Sequence, residues 1–288
     1  MTRIVALLLS LTLAGLALAY PLKIRHDAGE TVIQNKPERI IAMGPYMLDI
    51  LLSLGVQPVG YASVGVGVDN WGLGAKVTEV PGLPALRSSP VNVGLRQSPS
   101  LETMLSLKPD LILAEVPTPD RFRQFSAIGP TLLFTGNLPD DWRRTILPIA
   151  RALGRESQAL RVLAEDKTRL NAARTKLEPI VRGKRFLMLV SRPSGPLTAS
   201  FQLRTGGDWA SNIPVRLGLN LVRPAGIKLG DLGLADLAGE VLPSIQTDYI
   251  IVLTQRQRGI ESARREWFER DSHPGQPARE QGGASAVL

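Results

Sequence analysis

The chain has 288 residues, enough for two domains of ordinary size, each able to bury its own core without staples. It contains no cysteine, which excludes disulfides, thiolate metal sites and cysteine nucleophiles, and its two histidines, His26 and His273, cannot build a multi-histidine metal centre. The net charge of +8 is concentrated in residues 141–185, with 12 Lys/Arg against 5 Asp/Glu. That segment has helical spacing, so the excess reads as a solvated helix face, and no nucleic-acid-binding signature accompanies it.

The first element is an address. Arg3 precedes an apolar run from Ile4 to Leu13, and Ala17-Leu18-Ala19 is a small-residue cleavage signal, so residues 1–19 are expected to be a signal peptide. The run is shorter than the roughly 20 residues a membrane span needs. With no cysteine after the cleavage site, a lipid anchor is not expected. The mature chain is expected to begin at Tyr20 and to be soluble outside the cytoplasm.

Strands and helices then alternate. Arg39 to Met43 reads as a buried strand ending at Gly44-Pro45, and Tyr46 to Leu54 as a helix stopped by Gly55. Val59-Gly60-Tyr61 opens a second strand, and residues 64–74 are a glycine-rich loop. Val91 to Gly94 is a strand, Leu101 to Leu107 a helix with Ser100 as N-cap, and residues 111–114 a strand. Arg121 to Ile128 is a helix and Thr131 to Phe134 a strand. The pattern predicts a parallel sheet covered on both faces. Residues 142–153 are helical, with Pro148 predicting a kink or a late start. Arg155 to about Leu177 is a long helix with a stripe of Leu160, Leu163 and Leu170. Beyond it come a strand at Arg185–Val190, a helix from Trp209 to Leu217, another from Leu237 to Ile245, and a strand at 249–253. The expected architecture is α/β: two Rossmann-like lobes with parallel sheets, joined by one long α-helix. The boundaries expected are 20–140 for the first lobe, 141–182 for the linker helices and 183–270 for the second lobe. Residues 271–288 are polar and glycine-rich, a composition that predicts disorder.

One phrase occurs twice. In "LETMLSLKPDLIL" Glu102 lies eight positions before Asp110, and in "EVLPSIQTDYIIVL" Glu240 lies eight before Asp248. Each aspartate opens a strand. Helix-Asp-strand connections are common in α/β folds, so the repeat is either chemistry shared by two equivalent lobes or local helix chemistry in each.

The stretch "VGLRQSPSLETMLSLKPDLIL" resembles the signature of periplasmic binding proteins for ferric siderophores, haem and cobalamin, the substrate-binding proteins of ABC importers. "PERIIAMGPYMLDILLSLGVQPVG" is similar to their first strand and helix, and the likeness covers roughly residues 30 to 253. The resemblance implies two lobes on a rigid helical backbone, a ferric siderophore captured in a shallow cleft, and delivery to an ABC importer permease. It implies that one acidic residue per lobe docks onto permease arginines, here Glu102 and Glu240. The alternative is that each carboxylate only complements its helix dipole. It also implies a ligand contact for Arg96, whose planar fork of donors suits the oxygen atoms around ferric iron. Tyr46 and Trp71 are candidates beside it. Arg204 and Trp209, flanking Gly206-Gly207, are candidates from the second lobe, although Trp209 could equally be core and Arg204 a solvated loop charge.

This chain departs from the family pattern in two places. Ser98-Pro99-Ser100 stands where Glu-Pro-Asn is usual, and the segment after Leu253 does not read as the further helix, strand and helix of the family, so the second lobe is expected to be short by a strand. No resident cofactor, catalytic group, metal site or nucleic-acid partner is expected, and the protein is expected to be a monomer. Haem or cobalamin as ligand, and a C-terminally truncated, non-functional relic, stand as alternatives. An exported hydrolase is disfavoured because neither histidine is placed for a triad and no nucleophile elbow or phosphate loop occurs.

Overall fold

A computed structural model of the protein describes residues 20–63, 85–115, 119–136, 138–191 and 201–253. Trp71, His273, residues 1–19 expected as a signal peptide, the expected glycine-rich loop at 64–74 and residues 271–288 lie outside them.

The chain opens with an antiparallel hairpin that the sequence reading did not anticipate, β1 (Leu22–His26) and β2 (Gly29–Ile33). Leu22, Ile24 and Ile33 are its buried residues and join the first core. His26 accounts for itself there. Its Nε2 lies 2.9 Å from Thr31 Oγ1, its ring packs 5.4 Å from that of Phe122, and burial holds its pKa below the usual histidine value.

The first sheet contains β3 (Ile40–Met43), β4 (Gly60–Ser63), β5 (Val91–Leu95), β6 (Ser98–Pro99), β7 (Leu111–Ala114) and β8 (Thr131–Leu133), in the spatial order β6-β5-β4-β3-β7-β8. All neighbours are parallel except β6, which turns back on β5. Successive residues of a strand point to opposite faces. Ile40, Ala42, Leu111 and Leu113 enter one core with α1 (Pro45–Ser53), while Ile41, Met43, Ile112 and Ala114 enter the other with Met104 of α2 (Leu101–Ser106) and Phe125 of α3 (Pro119–Ile128). Strands buried on both faces have no room for polar alternation, which is why they read as unbroken apolar runs.

Helix α4 (Asp141–Leu153) runs through Pro148 and starts well before it, so the proline does not delay the helix. Its Ile146, Ile149, Ala150 and Leu153 belong to the first core. Gly154, at φ 62°, ends it. Helix α5 (Glu156–Val181) has 26 residues and is therefore about 39 Å long. Ala159, Val162 and Leu163 pack on the first core, and Leu177 and Val181 pack with Phe186, Met188 and Leu221 of the second lobe. Of the expected leucine stripe, Leu163 packs on the core and Leu170 is half-buried, but Leu160 is 59% exposed and Ala159 is buried in its place. The exposed Arg161, Lys167, Arg169, Arg174 and Lys176 make the basic segment a solvated helix face.

The second sheet is mixed, not parallel. β9 (Arg185–Ser191) is parallel to β11 (Asn220–Leu221) and β13 (Tyr249–Leu253), but antiparallel to β10 (Phe201–Arg204), which is itself antiparallel to β12 (Leu234–Leu237). Helix α6 (Trp209–Arg216) lies between β10 and β11 in sequence. The helix expected over Leu237–Ile245 is a short 3-10 turn, Gly239–Ser244, because Gly239 and Pro243 favour no longer helix and Leu237 closes β12 instead. Leu187, Leu189, Phe201, Leu203, Leu237, Leu242 and Ile245 form this lobe's core. The lobes also meet through charge, since Arg216 of α6 donates to Asp140, next to α4, at 2.9 Å. Among the described residues no helix is long and apolar enough to cross a membrane.

Candidate functional site

Strand order places the site. β4 and β5 lie to one side of β3, and β7 and β8 to the other, so the chain switches direction between β3 and β7. At such a switch point the loops leaving the carboxyl ends diverge and open a crevice. The residues there are Gly44, Pro45 and Tyr46 after β3, Ser63 at the end of β4, Arg96 after β5 and Glu115 after β7.

Arg96 is held by its backbone and its side chain. Its N–H donates to Ser63 O at 2.7 Å, and its Nη1 donates to Glu115 Oε1. The Arg96 side chain is 25% exposed and the Glu115 side chain 3%. Glu115 also accepts from the Tyr46 N–H at 3.0 Å, at the first turn of α1, where unpaired backbone donors favour a carboxylate. Burial raises the Glu115 pKa above the usual carboxylate value, while Arg96 and the α1 N–H groups pull the other way. Gly44 makes the approach possible. Its φ of 133° suits glycine, and a Cβ there would overlap the Glu115 carboxylate.

Tyr46 is therefore brought to Arg96 through Glu115. Its hydroxyl bonds Thr145 Oγ1 of α4 at 2.8 Å, its ring closes over Gly136, and burial pushes its pKa up to about 12. Glu115 was missed from sequence. Its signal was an acid directly after the fully buried strand Leu111–Ala114, at the end of a parallel strand where loops line the crevice.

Arg204 and Trp209 form a second cluster. Arg204 donates from Nη1 to Asp208 and from Nη2 to Gln202 Oε1 at 2.8 Å, and only 14% of its side chain is exposed. It is not a solvated loop charge. Asp208 caps α6, accepting from the Ala210 and Ser211 N–H groups. Trp209 is 60% exposed and is not a core residue. A groove of about 460 Å³ runs along α5, lined by Arg143, Leu163, Lys167, Leu170, Arg174 and Arg216 among others, and contains none of the candidate ligand residues. No group of three or more metal-ligating side chains occurs among the described residues.

The repeated phrase has the same geometry in both lobes. Asp110 donates its N–H to Arg39 O at 3.0 Å and its Oδ1 accepts from the Arg39 N–H at 2.8 Å. Asp248 donates its N–H to Arg185 O at 2.9 Å and its Oδ2 accepts from the Arg185 N–H at 2.7 Å. Each aspartate thus ties the start of its own strand to the start of a parallel neighbour. The glutamates sit at the opposite edge. Glu102 is exposed in the first turn of α2, after β6 has paired with the carboxyl end of β5. Glu240 is exposed in the 3-10 turn after β12, whose Leu237 aligns through Phe201 with Ser191 at the carboxyl end of β9.

Comparison with known proteins agrees with this architecture. The chain is 29% identical over 198 residues to the Fe(3+)-citrate-binding protein YfmC of Bacillus subtilis (strain 168), covering 68% of this chain and 58% of that protein. It is 26% identical over 260 residues to the Fe(3+) dicitrate-binding periplasmic protein FecB of Escherichia coli (strain K12), covering 86% and 78%. In several such matches the chain spans about half the length of the curated relative. The crystal structure of Staphylococcus aureus SirA complexed with staphyloferrin B superposes with a TM-score of 0.66 at 23% identity, covering 87% of this chain and 84% of that one. A family model, periplasmic binding protein, matches residues 40–265, and with the two-lobed fold it establishes that the chain belongs to the periplasmic binding protein family.

Proposed function

We propose that this protein is an extracytoplasmic solute-binding protein that captures a ferric siderophore and delivers it to an ABC importer permease. The observation that carries the proposal is Arg96, tied by Glu115 to the topological switch point of the first sheet with a quarter of its side chain still exposed. An oriented planar donor suits the hydroxamate, catecholate or carboxylate oxygens of an iron chelate. The relatives named for ferric citrate and the SirA complex support that ligand class. Binding needs no bond chemistry. The chelate enters between the lobes, the lobes close modestly about α5, and Glu102 and Glu240 dock the loaded protein as a bivalent electrostatic contact. The protein acts as a monomer in this scheme.

Haem fits less well. An axial phenolate from Tyr46 would have to leave Thr145 and lose its proton against a pKa of about 12. A non-functional relic fits less well too, because the second lobe has a formed core.

The test is titration of the ligand-free protein with ferric hydroxamate, catecholate and citrate chelates, haemin and cobalamin, followed by fluorescence of its four tryptophans. Saturable quenching by at least one iron chelate is expected. Response to haemin or cobalamin alone would transfer the function to that ligand, and no response to any of them would reject it.

A further inference from the structure

The two candidate arginines, one per lobe, share an unusual condition. Each has one Nη on a carboxylate that is almost wholly buried, Glu115 at 3% side-chain exposure and Asp208 at 2%. Each also has its Nε buried without a hydrogen-bond partner, and among the described residues these are the side-chain atoms so placed. An unpaired buried donor is unfavourable, and a freely chosen rotamer would avoid it. It persists where a stronger contact dictates the position of the guanidinium, and the buried carboxylate is that contact.

Neither carboxylate is free to swing away. Glu115 is pinned by the Tyr46 N–H and wedged against Gly44. Asp208 is pinned as the cap of α6, by the Ala210 and Ser211 N–H groups and the Ser211 hydroxyl. The compensation is therefore built into the backbone on both sides.

Resting on the reading of the site given above, we infer that Glu115 sets its charge selectivity, so that the protein takes ferric chelates of low net charge, trishydroxamates or mixed hydroxamate–carboxylates, in preference to trianionic triscatecholates. An unpaired arginine attracts an anion by its whole charge. A paired one keeps its directional N–H donors while its field at the ligand is largely cancelled. Chelate oxygens of a neutral complex still accept from the exposed part of Arg96. A trianion arriving at the same donors also meets a carboxylate that water cannot screen, and like charges in a desolvated site discriminate strongly. The first lobe adds no long-range attraction, since residues 20–140 carry 10 Lys/Arg against 11 Asp/Glu.

The experiment compares affinities for a neutral ferric trishydroxamate and a trianionic ferric triscatecholate, in the unaltered protein and in Glu115→Gln. The substitution removes charge while keeping shape. The unaltered protein is expected to favour the neutral chelate by about tenfold or more, and the substitution to move the affinity ratio toward the trianion by a similar factor. If the variant does not fold, the ratio in the unaltered protein still decides. Preference of the unaltered protein for the trianion, or an unmoved ratio in the folded variant, would overturn this inference and leave the functional proposal intact. Binding of no iron chelate at all by the unaltered protein would overturn both.

Discussion

Arg96 and Glu115 meet across two intervening strands. Arg96 leaves the end of β5 and Glu115 the end of β7, with β4 and β3 between them. The pair therefore ties together the loops on both sides of the switch point. Breaking it from one side leaves an uncompensated buried carboxylate, and Arg96→Ala should cost about 3–5 kcal/mol near neutral pH. The Glu115 pKa is already raised by burial, with Arg96 opposing the rise, so removing the arginine raises it further. A carboxyl whose folded pKa lies above its unfolded value is protonated preferentially in the folded state. Its penalty is absent below the unfolded value of about 4.3 and grows as pH rises through the folded pKa. Denaturant midpoints of Arg96→Ala should therefore fall further behind the parent at neutral pH than at about pH 5, and Arg96→Ala/Glu115→Gln should recover most of the loss. Equal deficits at both pH values would show that Glu115 is not the group left stranded.

Gly44 and Gly55 separate conformation from contact. Both have positive φ, 133° and 72°, but a Cβ at Gly55 meets nothing within 4 Å, whereas one at Gly44 overlaps Glu115. Gly55→Ala should cost about 1 kcal/mol, from backbone strain alone. Gly44→Ala should cost clearly more, and replacing Glu115 by Ala in the same chain should return part of the difference. Urea unfolding of the variants measures it.

Much of the first lobe was legible because its strands are buried on both faces. Ile40–Met43 and Leu111–Ala114 are apolar at every position and read as strands without help. The hairpin β1–β2 was not, because its short alternation includes Lys23, Arg25 and Glu30 and its burial comes from the first core and from β8, to which the Asp27 N–H bonds at Leu133 O. The antiparallel strands of the second sheet were missed for a related reason: four residues such as Phe201–Arg204 carry too few positions for a period to be read. Arg96 was identified through the motif around it. Glu115 was not, since its one signal, an acid after an apolar run, does not say what it pairs with, and its role comes from residues 71 and 69 positions away, Gly44 and Tyr46, that the fold brings to it.

The repeated aspartates predict matched but unequal losses. Asp110 accepts from two backbone N–H groups, Glu38 and Arg39, each at 2.8 Å, and Asp248 from one, Arg185, at 2.7 Å. At about 1.5–3 kcal/mol for a hydrogen bond to a charged group, discounted for partial exposure, Asp110→Ala should destabilise by about 2 kcal/mol and Asp248→Ala by about half that. Thermal unfolding of the two variants checks the order. A larger loss at Asp248 would contradict the geometric account.

The glutamates predict a different readout. Glu102 and Glu240 are exposed, each at the carboxyl edge of its own sheet. Reversing either charge should leave chelate affinity within error, because neither is proposed to touch ligand, while impairing uptake or permease binding. The difference between parent and variant should shrink at high salt, where the Debye length falls to about 3 Å at 1 M. Glu102→Lys uptake equal to the parent would remove the docking role from that residue.

The central claim is that an iron chelate is held at the carboxyl edge of the first sheet by Arg96. Crystals of the chelate-loaded protein, with anomalous diffraction collected at the iron edge, locate the metal without reference to any assumed pose. The account predicts one strong peak between the lobes, with a chelate oxygen within hydrogen-bond distance, about 2.7–3.2 Å, of an Arg96 Nη atom. A peak elsewhere, such as the groove along α5, or loaded crystals in which Arg96 touches no part of the chelate, would contradict it.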